Sequence, residues 1–137
     1  HVTRESHWIG ERLRAAGASG VISTLAPHIA LDSGYPLDPR LATGVFMYRT
    51  GDSLSEAELR RLHAMSPATL VEFMDESPPA AILVGYEGRD HRTPVDLDAP
   101  FRAYARARGY RSERSPFGRA ELYVRPPGPG AFPTRPD

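Results

Sequence analysis

The apolar residues of the first segment recur at helical spacing. Trp8, Ile9, Leu13 and Ala16 share one stripe between Arg4 and Ala16 while Arg4, Glu11 and Arg14 face elsewhere, which predicts an amphipathic helix. Thr3 is placed to cap it and Gly17 to end it. The pattern then changes. Val21 to Leu25 is short, β-branched and bounded by Gly20 and Pro27, as expected of a parallel-sheet strand covered on both faces. Pro27 suits the first turn of a short helix through Ile29 and Leu31, with Gly34 as its terminator. Tyr35-Pro36-Leu37-Asp38-Pro39 must be extended or turned, because residues before proline avoid the helical region. Val45 to Tyr48 reads as a second strand closed by Gly51-Asp52.

From Leu54 to Glu76 the spacing is helical again. Ser55 stands three residues before Glu58 as a capping box, followed by Leu59, Leu62 and Met65. Ser66-Pro67 interrupts and restarts the helix, and Leu70, Val71 and Met74 continue until Ser77-Pro78-Pro79. Ala80 to Val84 is a third, continuously apolar strand, and a polar loop runs from Gly85 to Leu97. Asp98 is placed to cap a helix through Arg108, with Phe101, Tyr104 and Ala105 inward and Arg102 and Arg106 outward. Arg111–Ser115 and Ala120–Arg125 flank Pro116-Phe117-Gly118-Arg119 as a β-hairpin at the sheet edge.

This order predicts an α/β fold, specifically a three-layer α/β/α sandwich with a mostly parallel sheet and an antiparallel C-terminal edge hairpin. Residues 1–125 form a single domain. Residues 126–137, with Pro126, Pro127, Pro129, Pro133 and Pro136, form a flexible extended tail. Parallel strands present their following loops at the carboxyl edge, which makes that edge the default pocket.

Length and composition narrow the function classes. The 137 residues suit one domain, and 40% hydrophobic with 25% charged residues is ordinary globular composition. Seventeen basic residues balance seventeen acidic ones, so no global field favours nucleic acid. All seventeen basic residues are arginine, and lysine, asparagine and glutamine are absent. A high-GC coding bias explains this better than specialised arginine recognition, since it acts on every site. Without cysteine there is no disulfide, thiolate zinc site or cysteine nucleophile. The longest apolar stretch, Ala80 to Val84, is far short of the roughly 20 residues that span a bilayer. The start at His1 in place of methionine is expected of a processed product or of a fragment excised from a longer chain.

The candidate chemistry gathers after the three apolar runs. His28 and Asp32 follow the first, Arg49 the second, and Glu87, Arg89, Asp90 and His91 the third. His28 and Asp32 lie one helical turn apart, but two ligands do not fix a metal, and no metal or cofactor is expected. The Asp90–His91 cluster between Arg89 and Arg92 has the pattern of a solvated charge group. Thr24-Leu25-Ala26-Pro27 lacks the glycine-rich turn that admits a pyrophosphate, and no G-x-S-x-G elbow is present. No residue is therefore assigned a catalytic role. The ligand-binding candidates are His28, Asp32, Tyr35, Arg49, Glu87 and Arg89.

Four longer stretches carry a resemblance. Gly20-Val21-Ile22-Ser23-Thr24-Leu25-Ala26-Pro27 through Ala30–Leu37 to Leu41–Phe46, with Leu62–Pro67, Ala80–Glu87 and Ala120–Arg125, is similar to the soluble region after the last membrane spans of certain bacterial glycosyltransferases. These use a polyprenyl-phosphate sugar and resemble the protein mannosyltransferase and aminoarabinose transferase class. The resemblance implies an accessory domain on the extracytoplasmic side, attached through its N-terminal end to the membrane part of the parent chain. It also implies that the catalytic acids belong to that membrane part, and a lipid-linked sugar or an acceptor becomes a possible partner. Two rival expectations remain: a small domain binding a sugar or phosphosugar at the carboxyl edge, and a metal-assisted enzyme built on His28, Asp32 and His91.

Overall fold

The computed structural model describes residues 2–42, 44–88 and 95–127. Among them the chain forms a mixed α/β fold with five α-helices and one four-stranded mixed sheet. Helix α1 covers Val2–Ala15 and strand β1 Ile22–Thr24. Short 3-10 turns at Pro27–Ala30 and Pro39–Leu41 lead to helix α2, Gly44–Thr50. Helices α3, Glu56–Arg61, and α4, Leu70–Glu76, precede strand β2, Ala81–Val84. Helix α5, Ala99–Ala107, and strands β3, Arg111–Arg114, and β4, Glu121–Val124, complete the order.

The strands lie in the order β1-β2-β4-β3. Ile22 pairs with Ala81 in a parallel ladder, whereas β4 runs antiparallel to both β2 and β3. The expected mostly parallel sheet is thus corrected to one parallel pair and two antiparallel ones. The reason lies in residues 45–48, which form part of α2 instead of a strand. Tyr48 is fully buried and Val45 packs against the same cluster, an i, i+3 relationship that a helix satisfies and a strand does not. Nor is the hairpin confined to the edge. Its second strand, with Leu122, Tyr123 and Val124 buried, enters the sheet interior beside β2, and only the polar β3 is left outside.

Strand residues alternate between two apolar clusters. Ile22, Ala81, Leu83, Leu122 and Val124 join Ile9 and Leu13 of α1 and Ile29 of the first 3-10 turn. Ile82, Val84 and Tyr123 join Leu59, Leu70, Phe73, Met74, Phe101 and Tyr104 from α3, α4 and α5. Each covered Leu, Ile or Phe contributes about 1.5–3 kcal/mol relative to exposure. Helix α1 can approach so closely because a Cβ at Gly10 would stand 2.1 Å from the Ser33 carbonyl oxygen. Thr3 lies inside α1 and does not cap it, while Gly17 ends the helix at φ 67° as expected. The Ser55–Glu58 capping box of α3 forms in full.

The two outer strands are guarded in different ways. The Ile22 amide donates to the Pro36 carbonyl and the Asp38 amide to the Ile22 carbonyl, each at 2.9 Å, so the returning chain covers β1. On the far side, β3 exposes Arg111 and Arg114, and Glu113 meets Arg12 of α1 at 2.7 Å.

Asp38 and Arg40 fix the covering segment from beneath. Arg40 donates Nε to Asp38 Oδ1 at 2.9 Å and Nη2 to Oδ2 at 2.8 Å, and Ser23 of β1 donates to the same carboxylate. The guanidinium also donates to the Phe73 and Ser77 carbonyls at the end of α4. Burial pushes the Asp38 carboxyl upward, but the hydrogen bonds from Arg40 and Ser23 and the Arg40 charge outweigh it and hold it below its usual range.

Candidate functional site

The carboxyl ends of β1 and β2 are held by two consecutive residues of α1. Ser6 Oγ accepts from the Asp32 amide at 2.7 Å and so fixes the loop after β1. Glu5 accepts the hydroxyl of Tyr86, fixing the loop after β2. Burial, followed by the Glu5 hydrogen bond and charge, raises the Tyr86 hydroxyl above its ordinary value. Glu5 is only 4% exposed, and its Oε2 is buried without a hydrogen-bond partner. The β3–β4 loop closes over this carboxylate at Gly118, where a Cβ would come within 3.2 Å of both Glu5 oxygens. Arg119 stacks on the Tyr86 ring at 5.3 Å and Arg4 on Phe117 at 4.9 Å.

A second carboxylate orders the same edge. Asp98 Oδ2 accepts from the amides of Gly85 at 3.0 Å and Glu87 at 2.9 Å. Its side chain does not cap α5, the role expected from the sequence, but serves the loop leaving β2. The Leu97 amide donates back to the Glu87 carbonyl at 3.0 Å and closes the loop base. Glu5 Oε1 and Asp98 Oδ2 both accept from groups of the loop after β2, so the arrangement orders the sheet edge.

The sequence-predicted candidates do not all converge there. Glu87 lies at this edge, and Asp32 reaches it through its backbone. His28 is exposed on the 3-10 turn after β1. Tyr35 stands at the amino end of β1, its hydroxyl donating to the Ala18 carbonyl at 2.9 Å. Arg49 is exposed on α2; the strand that would have delivered it to the edge does not exist. Arg89, Asp90 and His91 lie outside the described residues, as does most of the proline-rich tail. Among the described residues no group of three or more His, Asp or Glu is placed to hold a metal ion, and no helix is long and apolar enough to cross a membrane.

No family model, curated protein or solved structure matches the chain.

Glu5, Tyr86 and the Asp38–Arg40 pair were not singled out from sequence, and Asp98 was read only as a helix cap. For Glu5 a signal existed. It precedes Ile9 by four positions and Leu13 by eight, placing a carboxylate on the buried stripe of α1. The Asp38 and Asp98 roles depend on contacts with Ser23 and Gly85, which no local pattern encodes.

Proposed function

We propose that this chain is an extracytoplasmic accessory domain of a membrane-embedded glycosyltransferase that uses a lipid-linked sugar, with catalysis carried by the membrane part of the parent chain. One observation supports this reading above others. Three of the stretches that resemble that class, 20–37, 80–87 and 120–125, are far apart in sequence yet supply β1, β2 and β4, the three adjacent strands of one sheet. The resemblance thus follows a connected scaffold. The same reading takes the two packed faces as a three-layer α/β/α sandwich, α1 on one side and α3 to α5 on the other. The Glu5, Ser6 and Asp98 contacts, which order the sheet edge, suit a domain that positions or assembles.

The test is complementation in membranes. A parent transferase cut after its last span should lose sugar transfer from a polyprenyl-phosphate donor and regain it when residues 1–137 are restored in the same chain. Residues 1–137 alone should transfer nothing. Turnover by the isolated domain, abolished by a single substitution in it, overturns the proposal, as does a truncated parent that works at full rate.

A further inference from the structure

His63 has φ 52°, the one positive φ outside glycine among the described residues. It closes α3, with the His63 amide donating to the Arg60 carbonyl at 3.1 Å and the Ala64 amide to the Leu59 carbonyl at 2.9 Å. Glycine is the usual occupant of this left-handed position, and a histidine there is strained. Core packing does not offset the strain, because His63 is exposed. Its side chain instead lines a cleft of about 220 Å³ with Arg40, Arg60, Phe73, Glu76 and Ser77.

The cleft walls are fixed in advance. Arg60 lies 4.5 Å over the Phe73 ring and donates Nη1 and Nη2 to the two Glu76 oxygens at 3.0 and 2.7 Å. Its Nε donates to Glu56 at 3.1 Å, and Glu72 stands 3.7 Å away. Arg40 at the back is committed to Asp38 and the α4 carbonyls. Two guanidiniums thus face Asp38, Glu56, Glu72 and Glu76, so two positive and four negative charges leave two negative ones in these ion pairs. This balance disfavours a phosphate or carboxylate ligand. The wall offers further lone pairs on Glu76, the Ser77 hydroxyl and the ring nitrogens of His63. Hydroxyl groups, each both donor and acceptor, match that set without bringing a charge to desolvate. The volume lies below the roughly 300 Å³ at which drug-sized pockets begin, which suits a single ring.

We propose that the His63 cleft binds an uncharged, hydroxyl-rich ring of monosaccharide size. This goes beyond the transferase reading and does not depend on it, since such a cleft would bind its ligand whatever the parent chain does.

Residues 1–137 are titrated with glucose, galactose, mannose and arabinose, and in parallel with glucose 6-phosphate and glucosamine, by NMR and calorimetry. At least one uncharged sugar should give saturable shifts at His63, Ala64 and Ser77. His63→Gly removes the imidazole and relieves the backbone, so its thermal midpoint should rise by a few degrees while affinity falls at least tenfold. That opposite movement separates binding from folding. The proposal is overturned if no uncharged sugar saturates the cleft, if the phosphate or the amine binds in preference, or if His63→Gly keeps its affinity. The complementation test reads the transferase proposal separately.

Discussion

Tyr86 donates its hydroxyl to one oxygen of Glu5 and leaves the other oxygen of that carboxylate buried and unmatched. Tyr86→Phe should therefore destabilise the fold by about 1–3 kcal/mol, because Glu5 then loses its remaining partner. Glu5→Met combined with Tyr86→Phe removes both polar groups and should recover most of that loss. Urea unfolding of both single variants and the double variant checks this; a double variant as unstable as the sum of the two singles would show that the pair is not coupled.

Asp98→Ala should release the loop after β2 while leaving α5 intact, since the carboxylate serves Gly85 and Glu87 and not the helix amides. Hydrogen exchange is the direct measurement. Protection should fall at the Gly85 and Glu87 amides and stay unchanged at Tyr104 and Ala105. Fraying of the first turn of α5 instead would assign Asp98 to the cap.

Arg40→Met strands the Asp38 carboxylate in the interior and should cost about 3–5 kcal/mol in chemical unfolding. Asp38→Leu together with Arg40→Met should be much less costly, because no buried charge is then left alone. The two α4 carbonyls that Arg40 satisfies account for any remaining deficit.

Acid should weaken the fold through the same pair. The Asp38 carboxyl lies lower in the folded chain than its ordinary value of 3.8. Its contribution is complete above that value and is lost as pH falls through the lower folded one. Asp75, beside Arg108, and Glu76, beside Arg60, shift in the same direction. Stability measured from pH 6 to pH 2 should be level at first and then decline below about pH 4. Asp38→Leu with Arg40→Met should flatten part of that decline.

What could be read from the sequence divides along physical lines. Val21–Leu25 and Ala80–Val84 were legible as strands because a short, flanked, continuously apolar run has few other uses, and they pair in parallel as expected. Ser55 and Glu58 announced α3 through a local contact that needs nothing distant. Residues 45–48 misled because four apolar residues in a row satisfy both periods. Only the packing of Val45 and Tyr48 against the α-helical cluster decides between them. The placement of β4 could have been read from the contrast between Glu121-Leu122-Tyr123-Val124 and Arg111-Ser112-Glu113-Arg114, since the polar member of a hairpin belongs outside. Among the candidate site residues, Glu87 and Asp32 were placed by following a strand, whereas Arg49 inherited the error of its missing strand. His63 gave no sequence signal, because an unusual φ is invisible before the chain is folded.

The returning chain along β1 and the charged face of β3 also decide how copies of this protein behave when crowded. Neither flank offers a bare, uncharged row of amides and carbonyls onto which a second molecule could zip. Molecules held side by side at high local density should remain separate bodies and not polymerise through their sheets.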